Sequence, residues 1–259
     1  MKHKFAAQLY TLRNEISLDF PGVLWKLKDM GWEAVQIDGL FGYSAQEIAR
    51  VMKQAGLKTA GMHVPLDRLK NEFDQVLEEA RIFETSDIIC PYLDEKMRNA
   101  EGYIQAKKEL IQISRKATPL GFHIGYHNHD FEFMTSVEGV TALDYILAPE
   151  DGVRIFPEID TYWVKKAGLD PLTYIQRCTS RMPIVHLKDM SADKCENFVE
   201  IGEGCIDFLP ILNWGEQHGV QWYAVEQDEC SGNPLDSLEL SLKNLMNIDI
   251  QPLDQLRND

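Results

Sequence analysis

The stretch VRIFPEID, residues 153–160, decides how this chain folds. It is a short run rich in β-branched and aromatic residues that ends in a carboxylate, Asp160. Three other stretches share its design: FHIGYHNHD (122–130), PIVHLKD (183–189) and WYAVEQD (222–228). Their polar ends are the His127/His129 pair, His186 and Glu226. The four lie roughly thirty residues apart, with a helix-like stretch in each gap. Groups so distant in sequence meet only if the strands run parallel and end on the same side. A (β/α)8 barrel does this, and it puts its strand C-termini at the active-site face.

The rest of the chain follows the same alternation. Strands are expected at 5–10, 33–37, 57–64, 86–92, 122–127, 153–159, 182–187 and 222–226. Asp19 with Pro21 opens the first helix, Ser44 caps the second and Gly56 closes it. Further helices are expected at 67–83, 98–117, 136–147, from Asp170-Pro171 onward, at 208–218 and at 235–246. Residues 247–259 read as a loosely held polar tail. Strand–helix alternation implies a parallel sheet. An open doubly wound sheet is the alternative, but no glycine-rich phosphate loop follows the first strand. The expectation is therefore one (β/α)8 TIM-barrel domain over 1–259, a length typical of that fold.

Bulk composition narrows the function. With 44% hydrophobic and 26% charged residues the chain is an ordinary globular protein. The net charge of −15 disfavours nucleic acid as partner, because phosphate contacts need clustered Lys and Arg. No run approaches the ~18 apolar residues of a membrane span, and no signal-peptide core follows the basic start. Five cysteines without CxxC spacing point to a reducing compartment, hence the cytoplasm.

Asp160, His186 and Glu226 each sit at or just beyond a strand end, and these are the ligand types a divalent metal takes. The fourth ligand is read as Glu132, in the loop after strand five, with His127 at the strand end as the alternative. Glu158 precedes Asp160 by two residues, so both point into the barrel. Lys188 stands in the same relation to His186. Glu158, His129, the free oxygen of Glu226 and Lys188 are the candidates for proton transfer. His63, His127, Gln8, Tyr10 and Trp163 are candidates for binding substrate.

Taken together, AAQLYTLR, GWEAVQIDGL, GLKTAGMHV, LGFHIGYHNHDFEF, PEIDTYWVKKAG, VHLKDM, EIGEGCIDF and VEQD resemble the sugar phosphate isomerase/epimerase family, the xylose isomerase-like TIM barrels. The resemblance runs in order along nearly the whole chain. It implies a metal-dependent barrel acting on sugars, cyclitols or related polyols, with Asp160, His186 and Glu226 as ligands. Its ketose epimerases carry a glutamate where this chain has His127, and many relatives carry an acid where it has Gln36. The expected function is a sugar or polyol isomerase or epimerase using Mn, Mg, Co or Zn and a metal-bound enediolate. A dehydratase acting on a keto-sugar or inosose through the same metal site is the first alternative. A non-catalytic sugar-binding barrel, an apurinic-endonuclease-type phosphodiesterase and a subunit active only with a partner are the others. The resemblance also implies that homo-oligomers are common.

Overall fold

The computed structural model describes residues 2–179 and 181–249. Eight parallel strands close into a barrel: β1 Phe5–Gln8, β2 Ala34–Asp38, β3 Lys58–His63, β4 Asp87–Cys90, β5 His123–His127, β6 Phe156–Asp160, β7 Ile184–Leu187 and β8 Trp222–Val225. Each strand pairs with its two neighbours in sequence, and β8 returns to β1 through Phe5↔Tyr223. The principal outer helices are α1 Arg13–Met30, α2 Ala45–Ala55, α3 Phe73–Ile82, α4 Ala100–Ala117, α5 Ala142–Leu147, α6 Pro171–Gln176, α7 Phe208–His218 and α8 Pro234–Asn247. Most of the apolar core lies between these helices and the strands. The expected tail falls mainly outside the described residues.

Side chains alternate along each strand, so the barrel interior is built in layers. Ala6, Ala34 and Ala60 form one small inner cluster, and Ile89, Ile184 and Ala224 another, with Trp222 packed against both. Two residues further toward the C-terminal end, the same alternation brings in polar groups: Gln8, Gln36, Glu158, His186 and Glu226. All five are buried. The functional site is thus the continuation of the barrel's own packing.

His63 reaches that layer through a local irregularity. Val35 pairs with Thr59 and Ile37 with Met62, so β3 carries one more residue than β2 between the two pairs. The extra residue is absorbed around Gly61, whose φ is +104°. A bulge of this kind switches which face the following side chain takes, and here it turns His63 inward. A Cβ on Gly61 would lie 2.7 Å from Ile184 Cδ1. Gly61→Ala is therefore expected to destabilise the barrel by about 1–3 kcal/mol, measured by urea unfolding. An unchanged midpoint would mean the bulge tolerates a side chain.

Several expected boundaries move, each for a local reason. Helix α1 begins at Arg13, not at Asp19. Asp19 has an extended backbone (φ −155°, ψ 80°) and accepts from the Gly22 N–H, so the foreseen cap exists within a longer helix. The single helix expected over 67–83 is two, Leu66–Asn71 and α3, broken at Glu72. The helix expected from 136 starts only at Ala142, because Ser136–Val137 and Val140–Thr141 form a hairpin around Glu138 and Gly139. Both turn residues have positive φ, the requirement of a tight two-residue hairpin. Strand β1 stops at Gln8, since 9–12 curl into a 3-10 turn.

Candidate metal centre

β6, β7 and β8 deliver Asp160, His186 and Glu226 to one point, as the spacing required. His186 Nδ1 lies 3.4 Å from Glu226 Oε2 and 4.0 Å from Asp160 Oδ2. His127 Nε2, from the end of β5, lies 3.8 Å from the same Asp160 oxygen. These four residues offer donor atoms within 4.8 Å of one another, all buried. Asp160 Oδ2 and His186 Nδ1 make no hydrogen bond, and their nearest charged neighbours are Lys188 Nζ at 3.2 Å and Glu226 Oε2 at 3.4 Å respectively. Buried polar atoms without partners are rare. Two of them facing the same small space, beside a carboxylate and an imidazole, fit a divalent cation with nitrogen and oxygen ligands.

Glu132 lies outside this cluster. Its Oε1 accepts from Tyr126 OH at 2.7 Å and its Oε2 from the His129 N–H at 2.8 Å. Residues 131–134 form a short helical turn that folds Glu132 back under the loop. Burial raises its pKa to about 7, and the two hydrogen bonds oppose that rise. The carboxylate shapes the Asn128–Phe131 corner, and His127 is the strand-five group that faces the cluster.

Beneath the cluster sits a closed polar network. A second group of potential ligands, His63, His127, Glu158 and His186, shares two histidines with the first. Glu158 is fully buried, and Gln36 Nε2 donates to its Oε1. Its Oε2 lies 2.6 Å from His63 Nε2, 3.2 Å from His127 Nδ1 and 3.2 Å from His186 Nε2. Gln8 Nε2 donates to Gln36 Oε1 at 2.8 Å and lies 3.2 Å from His63 Nδ1. Gln8 and Glu158 thus support the layer above from below. Neither lines the cavity that opens onto the site.

Lys188 is fully buried, and its Nζ meets Glu226 at 2.7 Å, Asp228 at 2.8 Å and Asp160 at 3.2 Å. Burial opposes its charge, but the three carboxylates hold its pKa well above 10.5. For Asp160 burial wins over Lys188 and His186, and its pKa is about 6. Burial also opposes charge on His186, yet Glu158, Glu226 and Asp160 outweigh it and hold its pKa near 9. His127, desolvated and next to His186, falls to about 3. His129, desolvated beside His127 and Lys188, falls well below 6.5.

Above the cluster lies a cavity of about 680 Å³. His63, His127, His129, Glu226 and Asp228 line its depth, and Tyr10, Pro65, Pro91 and Tyr92 contribute apolar wall. Tyr10 carries the Arg13 guanidinium over its ring, 4.3 Å from the centroid. Trp163 packs against the His129 ring at 5.1 Å, with its Nε1 buried and unpartnered. Asp228 and Arg68 are lining residues that the sequence reading passed over. Asp228 follows Glu226 by two, the same signal that linked Asp160 to Glu158. Arg68 belongs to a helix whose face the sequence does not reveal.

No protein-family model matches the chain. It is similar to an inosose dehydratase of Clostridium beijerinckii, 28% identical, over 53% of this chain and 52% of that protein. The chain thus spans about half the length of that relative. An inosose dehydratase of Geobacillus kaustophilus is 24% identical over 82% of each chain. Among solved structures, a sugar phosphate isomerase/epimerase of Parabacteroides distasonis superposes with a TM-score of 0.80, 20% identical, covering 95% and 98% of the two chains. The IOLI protein, whose crystal structure holds a zinc atom, superposes with a TM-score of 0.71, 15% identical, covering 94% and 97%. The solved neighbours share the (β/α)8 barrel fold of this chain, and by sequence the chain is similar to inosose dehydratases.

Proposed function

We propose that the chain is a divalent-metal-dependent lyase that removes water from a keto-polyol of the inosose or keto-sugar kind. One observation carries this reading: Asp160, His186, His127 and Glu226 bring buried donor atoms within 4.8 Å of one another, Asp160 Oδ2 and His186 Nδ1 make no hydrogen bond, and His127 and Glu226 line a cavity of about 680 Å³. His127, Asp160, His186 and Glu226 would hold the ion. When bound, it supplies a Lewis acid that polarises a carbonyl and acidifies the neighbouring C–H.

The chain's own residues supply the proton transfers. His129 lines the cavity, is neutral at physiological pH and has a buried Nδ1 without a partner. It takes the proton from carbon. Glu158, foreseen as a possible base, is enclosed by Gln36 and histidines and acts as a support instead. Asp38 and Asp228 line the cavity, and burial raises both their pKa values. Either, in its protonated form, can give a proton to the departing hydroxyl, so that water leaves as the C=C bond forms. The ring of Tyr92 and the prolines suit the apolar face of a polyol.

The substrate is neutral. Arg68 is a cation on the cavity wall, and Glu72 and Glu79 already hold its guanidinium. Lys188 is committed to three carboxylates. A phosphate entering this cavity would meet Asp38, Glu226 and Asp228 without a free counter-charge among the described lining residues. No described helix is long and apolar enough to cross a membrane.

An isomerase or epimerase would share the first proton transfer and differ only in the second. Its paired-glutamate form lacks support, because His127 ends β5. The deciding experiment strips the metal, reloads Mn, Co, Mg or Zn, and follows inososes and keto-hexoses in deuterated water. Loss of one water from the product mass is the expected result. Deuterium incorporation without loss of water would instead indicate isomerisation. If neither occurs with metal bound, the sugar-binding barrel becomes the better description.

A further inference from the structure

We infer that Gln36 is a positioning residue that fixes which nitrogen of His186 is free to face the metal. The inference rests on the metal site proposed above. It follows from counting donors and acceptors in the buried network, where hydrogen positions are assigned from the bonding pattern.

Gln36 makes three contacts at its amide. Its Nε2 donates to Glu158 Oε1, its Oε1 accepts from Gln8 Nε2 at 2.8 Å, and that same Oε1 lies 2.6 Å from His186 Nε2. A flipped amide would set its NH2 against the Gln8 NH2 and its oxygen against the Glu158 carboxylate. The orientation is therefore determined, and the atom facing His186 Nε2 is an acceptor. His186 Nε2 must then carry hydrogen. In a neutral imidazole this leaves the lone pair on Nδ1, the unpartnered atom near Glu226 and Asp160.

The remaining contacts agree with this assignment. Gln8 uses its second N–H toward His63 Nδ1, so His63 donates from Nε2 to Glu158 Oε2 at 2.6 Å. His127 presents Nδ1 to Glu158 and Nε2 to Asp160. One proton arrangement serves Gln8, Gln36, His63, Glu158 and His186 together. A carboxylate at position 36 would lack the donor that Glu158 receives. The glutamine is therefore a functional choice: a neutral group that accepts from a histidine and donates to a glutamate. Outer-shell partners of metal-bound histidine act in this way, by setting tautomer and ring orientation.

The test is histidine 15N–1H correlation NMR on the zinc-loaded protein, with zinc affinity measured by competition with a chelator. In the wild type, His186 is expected to show a protonated Nε2 and a metal-bound Nδ1. Gln36→Leu removes the acceptor and is expected to weaken zinc binding about 10–100-fold, with loss of the single tautomer signature. Gln36→Glu keeps an acceptor for His186 but sets a second carboxylate against Glu158, and is expected to retain the tautomer signature without the full wild-type affinity. If Gln36→Leu does not fold, the wild-type spectrum alone decides. Zinc bound through His186 Nε2 would overturn the inference, and so would a Gln36→Leu variant with wild-type affinity and tautomer. No zinc binding by the wild type would instead remove the metal-site reading on which the inference stands.

Discussion

Replacing Lys188 with methionine is expected to destabilise the metal-free protein by about 3–5 kcal/mol. The side chain is fully buried, and its ammonium is the positive charge shared by Asp160, Glu226 and Asp228. Methionine fills similar space, so cavity formation contributes little and the cost is electrostatic. Taking away one member of a buried charge cluster leaves the others uncompensated, which is far worse than losing an exposed pair. The sign with pH follows. Lys188 is the strongest influence lowering the carboxylate pKa values of Asp160, Glu226 and Asp228, so its loss moves all three upward and the deficit grows as pH rises. It should shrink toward the ordinary carboxylate pKa of about 4. A divalent cation supplies the missing positive charge, so manganese should recover part of the loss in the variant and stabilise the wild type less. Urea unfolding with chelator and with manganese reads both effects. An unchanged midpoint in chelator at neutral pH would mean that water already screens the cluster.

The contrast between Lys188 and Glu132 shows what a sequence discloses about a site. Strand positions are legible because alternation is strict: Asp160, His186 and Glu226 end strands, and Glu158 and Lys188 share their faces by a spacing of two. The barrel itself was legible for the same reason, through eight repeats of an apolar run followed by a helical one. Loop positions obey no such rule. Glu132 sits in a four-residue helical turn, and whether it faces the metal or the Tyr126 hydroxyl depends on φ and ψ angles that FEFM does not encode by period. The same limit hid the hairpin at 136–141, whose decisive feature is two residues with positive φ. His63 is the instructive intermediate. Strict alternation from Ala60 would turn it outward, and the bulge at Gly61 turns it in. Its place at a strand end was readable, but the mechanism that aims it was not. Gln36 was visible only as a departure from a familiar acid, and its meaning lies in partners from β1, β6 and β7 that periodicity cannot bring together.

Substitutions at Asp160, His186 and Glu226, three of the clustered residues, should separate metal binding from folding. His186→Ala and Glu226→Ala are each expected to abolish stoichiometric metal, a larger effect than the 10–100-fold typical of an outer-shell loss. Asp160 needs more care, because it has two tasks. Its Oδ1 accepts from the Tyr162 and Trp163 N–H groups and caps the Thr161–Lys166 helix, while its Oδ2 faces the proposed metal position. Asp160→Ala loses both, with about 1 kcal/mol from the cap alone. Asp160→Asn keeps an oxygen for the cap and removes the negative charge. Asparagine should therefore retain most of the thermal stability and lose most of the metal. Glu132→Gln is the counterpart: it preserves an acceptor for Tyr126 and His129 and should leave metal content at the wild-type level. Elemental analysis of the five proteins, beside their melting curves, distinguishes the two carboxylates. If Glu132→Gln lost metal while Asp160→Asn kept it, the loop would have to open and exchange the roles of Glu132 and His127. The cluster at the ends of β5 to β8 would then be a resting arrangement and not the one that binds.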